Sequence, residues 1–289
     1  MRQGQEQGTT GTLYVVATPI GNLEDITYRA VRVLGEVDLV AAEDTRHSRK
    51  LFARFGIQKP LLSYHDHNEQ QRQAVLLEHL QAGRNVALIS DAGTPCIADP
   101  GFRLIASCHA AGVTVVPIPG PSAVITALSA AGVSTERFAF EGYLPARAKA
   151  RADLLRQLLG EQRTLVFYEA PHRLAATLAD LVEILGSDRQ LVVARELTKL
   201  HEEFFRGTMA EAVDRFLQQP ARGELVLVIP PGTQGPQTNA REALRRLLND
   251  SDLSRREAVK LIAREYGLPS SEVYRESLSL TEAEEGSDG

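Results

Sequence analysis

Residues 85–101, NVALISDAGTPCIADPG, decide the fold class. Val86 to Ile89 form an apolar run without polar alternation, the mark of a strand buried on both faces and so of a mainly parallel sheet covered by helices. The run exits into two small-residue turns, Ser90 to Pro95 and Ala98 to Gly101, each holding a carboxylate, Asp91 or Asp99. Outward from this stretch the rhythm repeats. TLYVVA (12–17), DLVAAED (38–44), PLLSYHD (60–66) and VTVVPIP (113–119) read as strands, separated by helical patterns such as TRHSRKLFARF (45–55), EQQRQAVLLEHLQAG (69–83) and SAVITALSAAG (122–132).

A second βα unit follows with FAFEGYLP, TLVFYEA, HRLAATLADLVEIL, QLVVARELT and GELVLVIPP. Within it LTKLHEEFFRGT (197–208) reads as two strands joined by a turn, which makes this sheet mixed. The expected organisation is a disordered leader (1–11), an N-terminal α/β cofactor-binding domain (12–132), a second α/β domain (133–231), a Pro- and Gly-rich linker (232–238), a small helix-turn-helix-like domain (239–278) and an acidic tail (279–289). In the helical domain Ser254 is placed to cap REAVKLIAREY and Gly267 to end it.

Composition narrows the function classes. A chain of 289 residues with 43% apolar and 24% charged residues folds without staples, and its two cysteines, Cys96 and Cys108, supply neither a disulfide framework nor a zinc site. Leu104 to Thr135 lacks charge apart from His109, but Pro117, Pro119, Pro121 and Gly120 break it too often for a spanning helix. With no signal-peptide core at the start, the reading is a soluble cytoplasmic protein with no membrane partner. The net charge of −5 requires any nucleic acid to be held by a local basic patch.

The loops at the strands' carboxyl ends carry the chemistry. Thr18-Pro19-Ile20-Gly21-Asn22 makes a sharp turn after the first strand, yet no GxxxxGK[ST] or GxGxxG phosphate cradle exists. Asp91 and Asp99 read either as ligand acceptors or as helix caps and Asx turns, and Ser122 after Pro119-Gly120-Pro121 reads as a helix cap whose first-turn amides can meet a carboxylate. Three such loops at one sheet edge outline a small-ligand cleft. His65-x-His67 has metal-ligand spacing, but its acidic neighbours can equally cap the next helix, and no metal is assigned. FYEAPHR (167–173) and RELTK (195–199) end strands of the second unit as charged clusters.

TPIGNLEDIT, AAEDTRHS, SYHDHNE, ISDAGTPCIADPG, PIPGPSA, GYLP, FYEAPHR and ARELTKLHEE, in this order, resemble the tetrapyrrole methylase superfamily, and within it the branch that methylates ribosomal RNA; the resemblance spans about residues 12 to 277. It implies two α/β domains of that type, with S-adenosyl-L-methionine folded between them. It implies cofactor contacts from Pro19, Gly21, Ser90, Asp91, Ala92, Gly93, Ser122, Ala123, Tyr168, Glu169, Leu197, Glu224 and Leu225. It further implies 2′-O-methylation of a cytidine ribose in the decoding region of 16S ribosomal RNA, within the small ribosomal subunit, by a homodimer. For catalysis at the ribose hydroxyl, Asp44, Lys199 and Glu169 are the expected groups, with His172 as a further candidate base. RNA phosphates are expected at Arg46, Arg49, Lys50, Arg147, Lys149 and Arg151. The rival readings are a porphyrin or corrin methylase of the same superfamily and a non-catalytic RNA-binding assembly factor.

Overall fold

A computed structural model describes residues 10–231, 236–250, 253–266 and 268–285. The α/β class holds. The first sheet has the order β3-β2-β4-β1-β5, built from β1 (Thr12–Val16), β2 (Leu39–Ala42), β3 (Leu61–Ser63), β4 (Val86–Ile89) and β5 (Thr114–Ile118). Every pairing in it is parallel, with Leu13 opposite Val86 and Val115, and Ala42 opposite Ser63 and Ile89. Period-two alternation within β4 sends Ala87 and Ile89 to one face and Val86 and Leu88 to the other. On the first face they meet α1 (Tyr28–Glu36) and α2 (Thr45–Phe55) through Leu34, Leu51 and Phe52. On the second they meet α3 (Glu69–Gln81) and α4 (Phe102–Ala110) through Leu76, Leu80 and Leu104. α5 (Ala123–Ala131) follows β5. An unbroken apolar strand is stable only with helices on both faces, each fully buried Leu or Ile contributing ~1.5–3 kcal/mol.

The second sheet has the order β6-β7-β10-β8-β9, from β6 (Phe138–Tyr143), β7 (Thr164–Glu169), β8 (Gln190–Arg195), β9 (Glu203–Thr208) and β10 (Leu225–Ile229). β6 and β7 are parallel. Neighbouring β8 and β9 are joined by a connection too short for a crossover, which makes that pair antiparallel and the sheet mixed. The helices of this part are α6 (Ala148–Gln157), α7 (Leu174–Leu185) and α8 (Met209–Gln218). α8 opens on a capping box in which Thr208 and Glu211 satisfy each other's backbone amides. The expectation of two strands in 197–208 needs correction. Leu197 to Leu200 form the turn itself, with Glu196 and Thr198 in left-handed backbone (φ 51° and 65°).

The chain divides into two compact units. One runs to Gly132 and includes Val193–Phe204 and Arg222–Val226; the other takes Val133–Val192, Phe205–Ala221 and the chain from Leu227. Three C-terminal helices, α9 (Pro236–Asp250), α10 (Arg255–Tyr266) and α11 (Ser270–Glu285), pack on one another around Leu244, Ala258, Ile262 and Val273. Ser254 and Glu257 form a capping box at the start of α10, while Gly267 lies outside the described residues. α9 begins within the stretch read as linker, and α11 runs into the stretch read as acidic tail. The leader, apart from its last two residues, and residues 286–289 lie outside the described residues. Among the described residues no helix is long and apolar enough to cross a membrane.

Candidate active site

The loops after β1, β2, β4 and β5 are laced into one bed within the first unit. Thr18 and Gly93 exchange backbone hydrogen bonds (2.9 and 3.0 Å) as an isolated antiparallel bridge, and Thr18 Oγ1 donates to the Ser90 carbonyl at 3.2 Å. Thr94 Oγ1 donates to the Pro121 carbonyl at 3.2 Å, tying the β4 loop to the β5 loop. Small residues are required for this approach. Gly93 sits at φ 86°, and a Cβ at Gly120 would lie 2.9 Å from the Ala17 Cβ. The expected residues Pro19, Gly21, Ser90 to Gly93, Ser122 and Ala123 all stand on these laced loops. Ser122 does not cap α5 with its side chain, so the helix's first-turn amides lack a side-chain acceptor.

Asp91 is neither a cap nor an Asx turn of its own loop. Its Oδ1 accepts the Asp44 amide at 2.9 Å, and its own amide donates to Glu43 Oε2 at 3.3 Å, joining the β2 and β4 loops. Glu43, Asp66, Asp91 and Asp99 influence one another here. Burial, then the charges of Glu43, Asp91 and Asp66, push the Asp99 carboxyl up to about 6, with only partial relief from the Ser90 hydroxyl. Burial likewise raises Glu43, against the Asp91 amide, with the Asp91 and Asp66 charges adding to the rise. Glu43 escaped the sequence reading because the adjacent Asp44 carried the same chemistry. The Ser90 hydroxyl lies against Asp99 without completing a hydrogen bond, an orphan on a residue only 4% exposed.

Asp44 is corrected as a base. Its carboxylate caps α2, accepting the Arg46 amide at 2.7 Å, and pairs with Arg46 Nη2 at 2.8 Å; the Arg46 hydrogen bonds hold its pKa well below the usual carboxylate range. A carboxylate so held is a poor proton acceptor. Lys199 belongs to the first unit, where its Nζ donates to Glu196 Oε1 at 2.7 Å and Glu224 Oε2 at 2.9 Å. Burial works against its charge, but the two carboxylates outweigh burial and raise its pKa, so it stays a cation. The Leu197 carbonyl and the Thr198 and Lys199 side chains crowd Gly21, whose added Cβ would lie 2.5 Å from Lys199 Cγ, and Asn22 N donates to Thr198 Oγ1 at 3.1 Å. Leu197 and Leu225 are buried and Glu224 is exposed.

In the second unit Glu169 is buried and committed. Its oxygens accept Thr177 Oγ1 at 2.6 Å and the Ala170 amide at 2.8 Å, and Oε1 lies 3.3 Å from Arg173 Nε. It holds the end of β7 against α7 rather than standing free as a base. Tyr168 packs edge-on against Phe140 and Tyr143, and His172 is exposed. Arg147 and Lys149 are exposed at the start of α6, as are Arg46, Arg49 and Lys50 on α2. Arg151 is removed from the phosphate-binding set. It is 4% exposed and its Nε meets Asp180 Oδ2 at 2.6 Å, an internal tie between α6 and α7. His65 and His67 meet edge-on at 5.9 Å, and Asn68 Oδ1 accepts the His65 amide in a local turn.

Comparison with known proteins places this geometry. The family model described as tetrapyrrole (corrin/porphyrin) methylases matches residues 12–213. A protein of Synechocystis sp. named ribosomal RNA small subunit methyltransferase I is 50% identical over 275 residues, covering 93% of this chain and 98% of its own. A protein of the same name from Escherichia coli O157:H7 is 47% identical, covering 96% and 99%. Among solved structures, the uroporphyrin-III-C-methyltransferase of Thermus thermophilus superposes with TM-score 0.57 at 21% identity, covering 76% of this chain and 94% of its own. A diphthine synthase gives TM-score 0.60 at 13% identity, covering 76% and 90%. These two show the fold.

Proposed function

The chain belongs to the tetrapyrrole methylase family, in the group of ribosomal RNA small subunit methyltransferase I, and from that membership we propose that it methylates the 2′-hydroxyl of a cytidine ribose in the decoding region of 16S ribosomal RNA. The observation that carries the reading is near-full-length identity to relatives that bear this name. It is an S-adenosylmethionine-dependent methyltransferase. When bound, that cofactor supplies a methyl group on a sulfonium whose departure as a neutral thioether needs no acid. Three features of the bed suit it: the orphaned Ser90 hydroxyl, the left-handed Gly93 that lets backbone approach a ligand, and the α5 amides left without a side-chain acceptor.

In this reading Pro19, Gly21, Ser90 to Gly93, Ser122 and Ala123 bind the cofactor, with Leu197, Glu224 and Leu225 from the first unit's later segments. Lys199, kept protonated by Glu196 and Glu224, faces the oxygen on which negative charge develops. Asp99, whose carboxyl is pushed up to about 6 by burial and the neighbouring acids, takes the ribose proton in place of Asp44. Arg46, Arg49, Lys50, Arg147 and Lys149 meet phosphates. The enzyme works in the cytoplasm as a homodimer on the small subunit. The test is transfer of labelled methyl to unmodified small subunits. Wild type should label the RNA, and Lys199→Met should lower the single-turnover rate at least ~100-fold, the scale of losing one oxyanion donor. Absence of label in wild type would overturn the reading.

A further inference from the structure

A cavity of about 720 Å³ opens within the first unit beside the bed and shares Gly21 and Lys199 with it. Gly21 and Leu23 of the β1 loop, Arg54 and Phe55 of the last turn of α2, and Lys199 and Leu200 of the turn after β8 line it. Leu200 is 91% exposed, yet it is not on a slack loop. Glu196 and Thr198 hold left-handed backbone (φ 51° and 65°), a conformation that costs a non-glycine residue ~1–3 kcal/mol and persists only where its surroundings enforce it. The enforcement is visible. Thr198 N donates to Glu202 Oε2 at 2.6 Å, Lys199 N to the Glu196 carbonyl at 3.0 Å, and Asn22 N to Thr198 Oγ1 at 3.1 Å. A strained, pinned turn thus presents an apolar side chain to solvent at a cavity mouth.

The remaining lining gives the ligand's chemistry. Among the described residues the Arg54 guanidinium has no hydrogen-bond or ion-pair partner, leaving its planar fork available to a phosphate. Lys199 gives two of its three N–H groups to carboxylates and keeps one. Phe55 supplies an aromatic face of the kind on which an unstacked base rests, Leu23 and Leu200 add apolar surface beside it, and Glu24 is the lining's one carboxylate, able to accept from a base amino group or a ribose hydroxyl. An unpaired guanidinium, an aromatic face with apolar neighbours and an acceptor carboxylate, in a volume within the small-ligand range, describe a nucleotide. We propose that this cavity is a subsite for one nucleotide of single-stranded RNA next to the methylated one, its phosphate on Arg54 and its base against Leu200 and Phe55. The proposal rests on the ribosomal RNA reading and adds a recognition site to it.

The test uses the full chain and unmodified small ribosomal subunits. Arg54→Ala and Leu200→Ala replace exposed residues, and thermal unfolding checks that both variants fold. Each should weaken subunit binding about tenfold, the scale of one lost contact of ~1.4 kcal/mol, while S-adenosylmethionine affinity by calorimetry stays within about twofold. Only Arg54→Ala should flatten the dependence of log binding constant on log salt, by ~0.7, one single-strand phosphate contact. A photo-crosslinking amino acid at position 200 should attach to RNA. Wild-type methylation with unchanged subunit affinity in both variants, or crosslinks to ribosomal protein alone, overturns the subsite while the ribosomal RNA reading stands. A wild-type chain that neither binds nor methylates subunit RNA refutes both.

Discussion

Replacing Arg151 with Ala separates architecture from RNA binding, because GYLPARAKAR reads as a basic patch whereas the fold buries one of its charges. Arg151 Nε lies 2.6 Å from Asp180 Oδ2, with side-chain exposures of 5% and 21%. Truncating one member of a buried pair leaves the other charge uncompensated and costs ~3–5 kcal/mol; residual water access to Asp180 places this case near 3. At roughly 2–4 °C per kcal/mol for units of this size, the unfolding midpoint should fall by about 6–12 °C. Circular dichroism melts of the full chain read this directly, and Arg151→Met with Asp180→Leu should recover much of the loss by removing both charges together. The salt dependence of small-subunit binding should stay at the wild-type slope. Replacing Arg147 and Lys149, which are exposed, should flatten it by ~1.4, two single-strand phosphate contacts. A wild-type melting midpoint in Arg151→Ala, together with a flattened slope, would return Arg151 to the RNA surface and refute the buried tie.

Asp99→Asn tests the acidic cluster in two ways. The folded carboxyl sits near 6 against 3.8 as its ordinary value, so its ionisation counts against the fold as pH rises through that window; the variant should be more stable by on the order of 1–2 kcal/mol at pH 8, allowing for solvent access, with the difference gone below pH 4. Urea titrations that show a pH-independent difference would contradict this. As the proposed proton acceptor, Asp99 should also give wild-type single-turnover rates an acidic limb near pH 6 that the variant lacks. Gly21→Ala places a Cβ 2.5 Å from Lys199 Cγ and 2.9 Å from Thr198 Oγ1, and should cost ~1–3 kcal/mol while lowering methyl transfer at least tenfold. Gly35→Ala in α1, with nothing within 4 Å, should instead stabilise by ~0.5–1 kcal/mol; equal behaviour of the two in melts and rates would remove crowding as the cause.

The first sheet was legible because β4 offers no polar face, so Val86 to Ile89 allow only a strand with helices on both sides. The bed was legible for a related reason, since Ser90, Gly93, Gly120 and Ser122 are too small to serve as core and stand where strands end. Three features were hidden by identical local chemistry. Leucines bound the turn from Leu197 to Leu200, and its left-handed backbone falls on Glu196 and Thr198, which leaves no glycine to mark it. Arg151 looks like its exposed neighbours until its spacing to Leu155 is noted, which puts both on the buried face of α6. Asp44 and Glu43 are adjacent acids, and only the fold shows that one is neutralised by Arg46 and the other joins Asp91 and Asp99.

The position of the transferred methyl distinguishes a ribose oxygen from a base atom as its acceptor. Small subunits lacking the modification are incubated with the protein and isotopically labelled S-adenosylmethionine, the RNA is digested to nucleosides, and the products are resolved by mass spectrometry. The expected product is one labelled nucleoside, a cytidine whose methyl fragments with the ribose, within a sequence that resists alkaline cleavage at the following phosphate. A methyl that fragments with the base would contradict the role given to Lys199 and Asp99 at a ribose oxygen, and label confined to protein or absent altogether would contradict ribosomal RNA as the substrate.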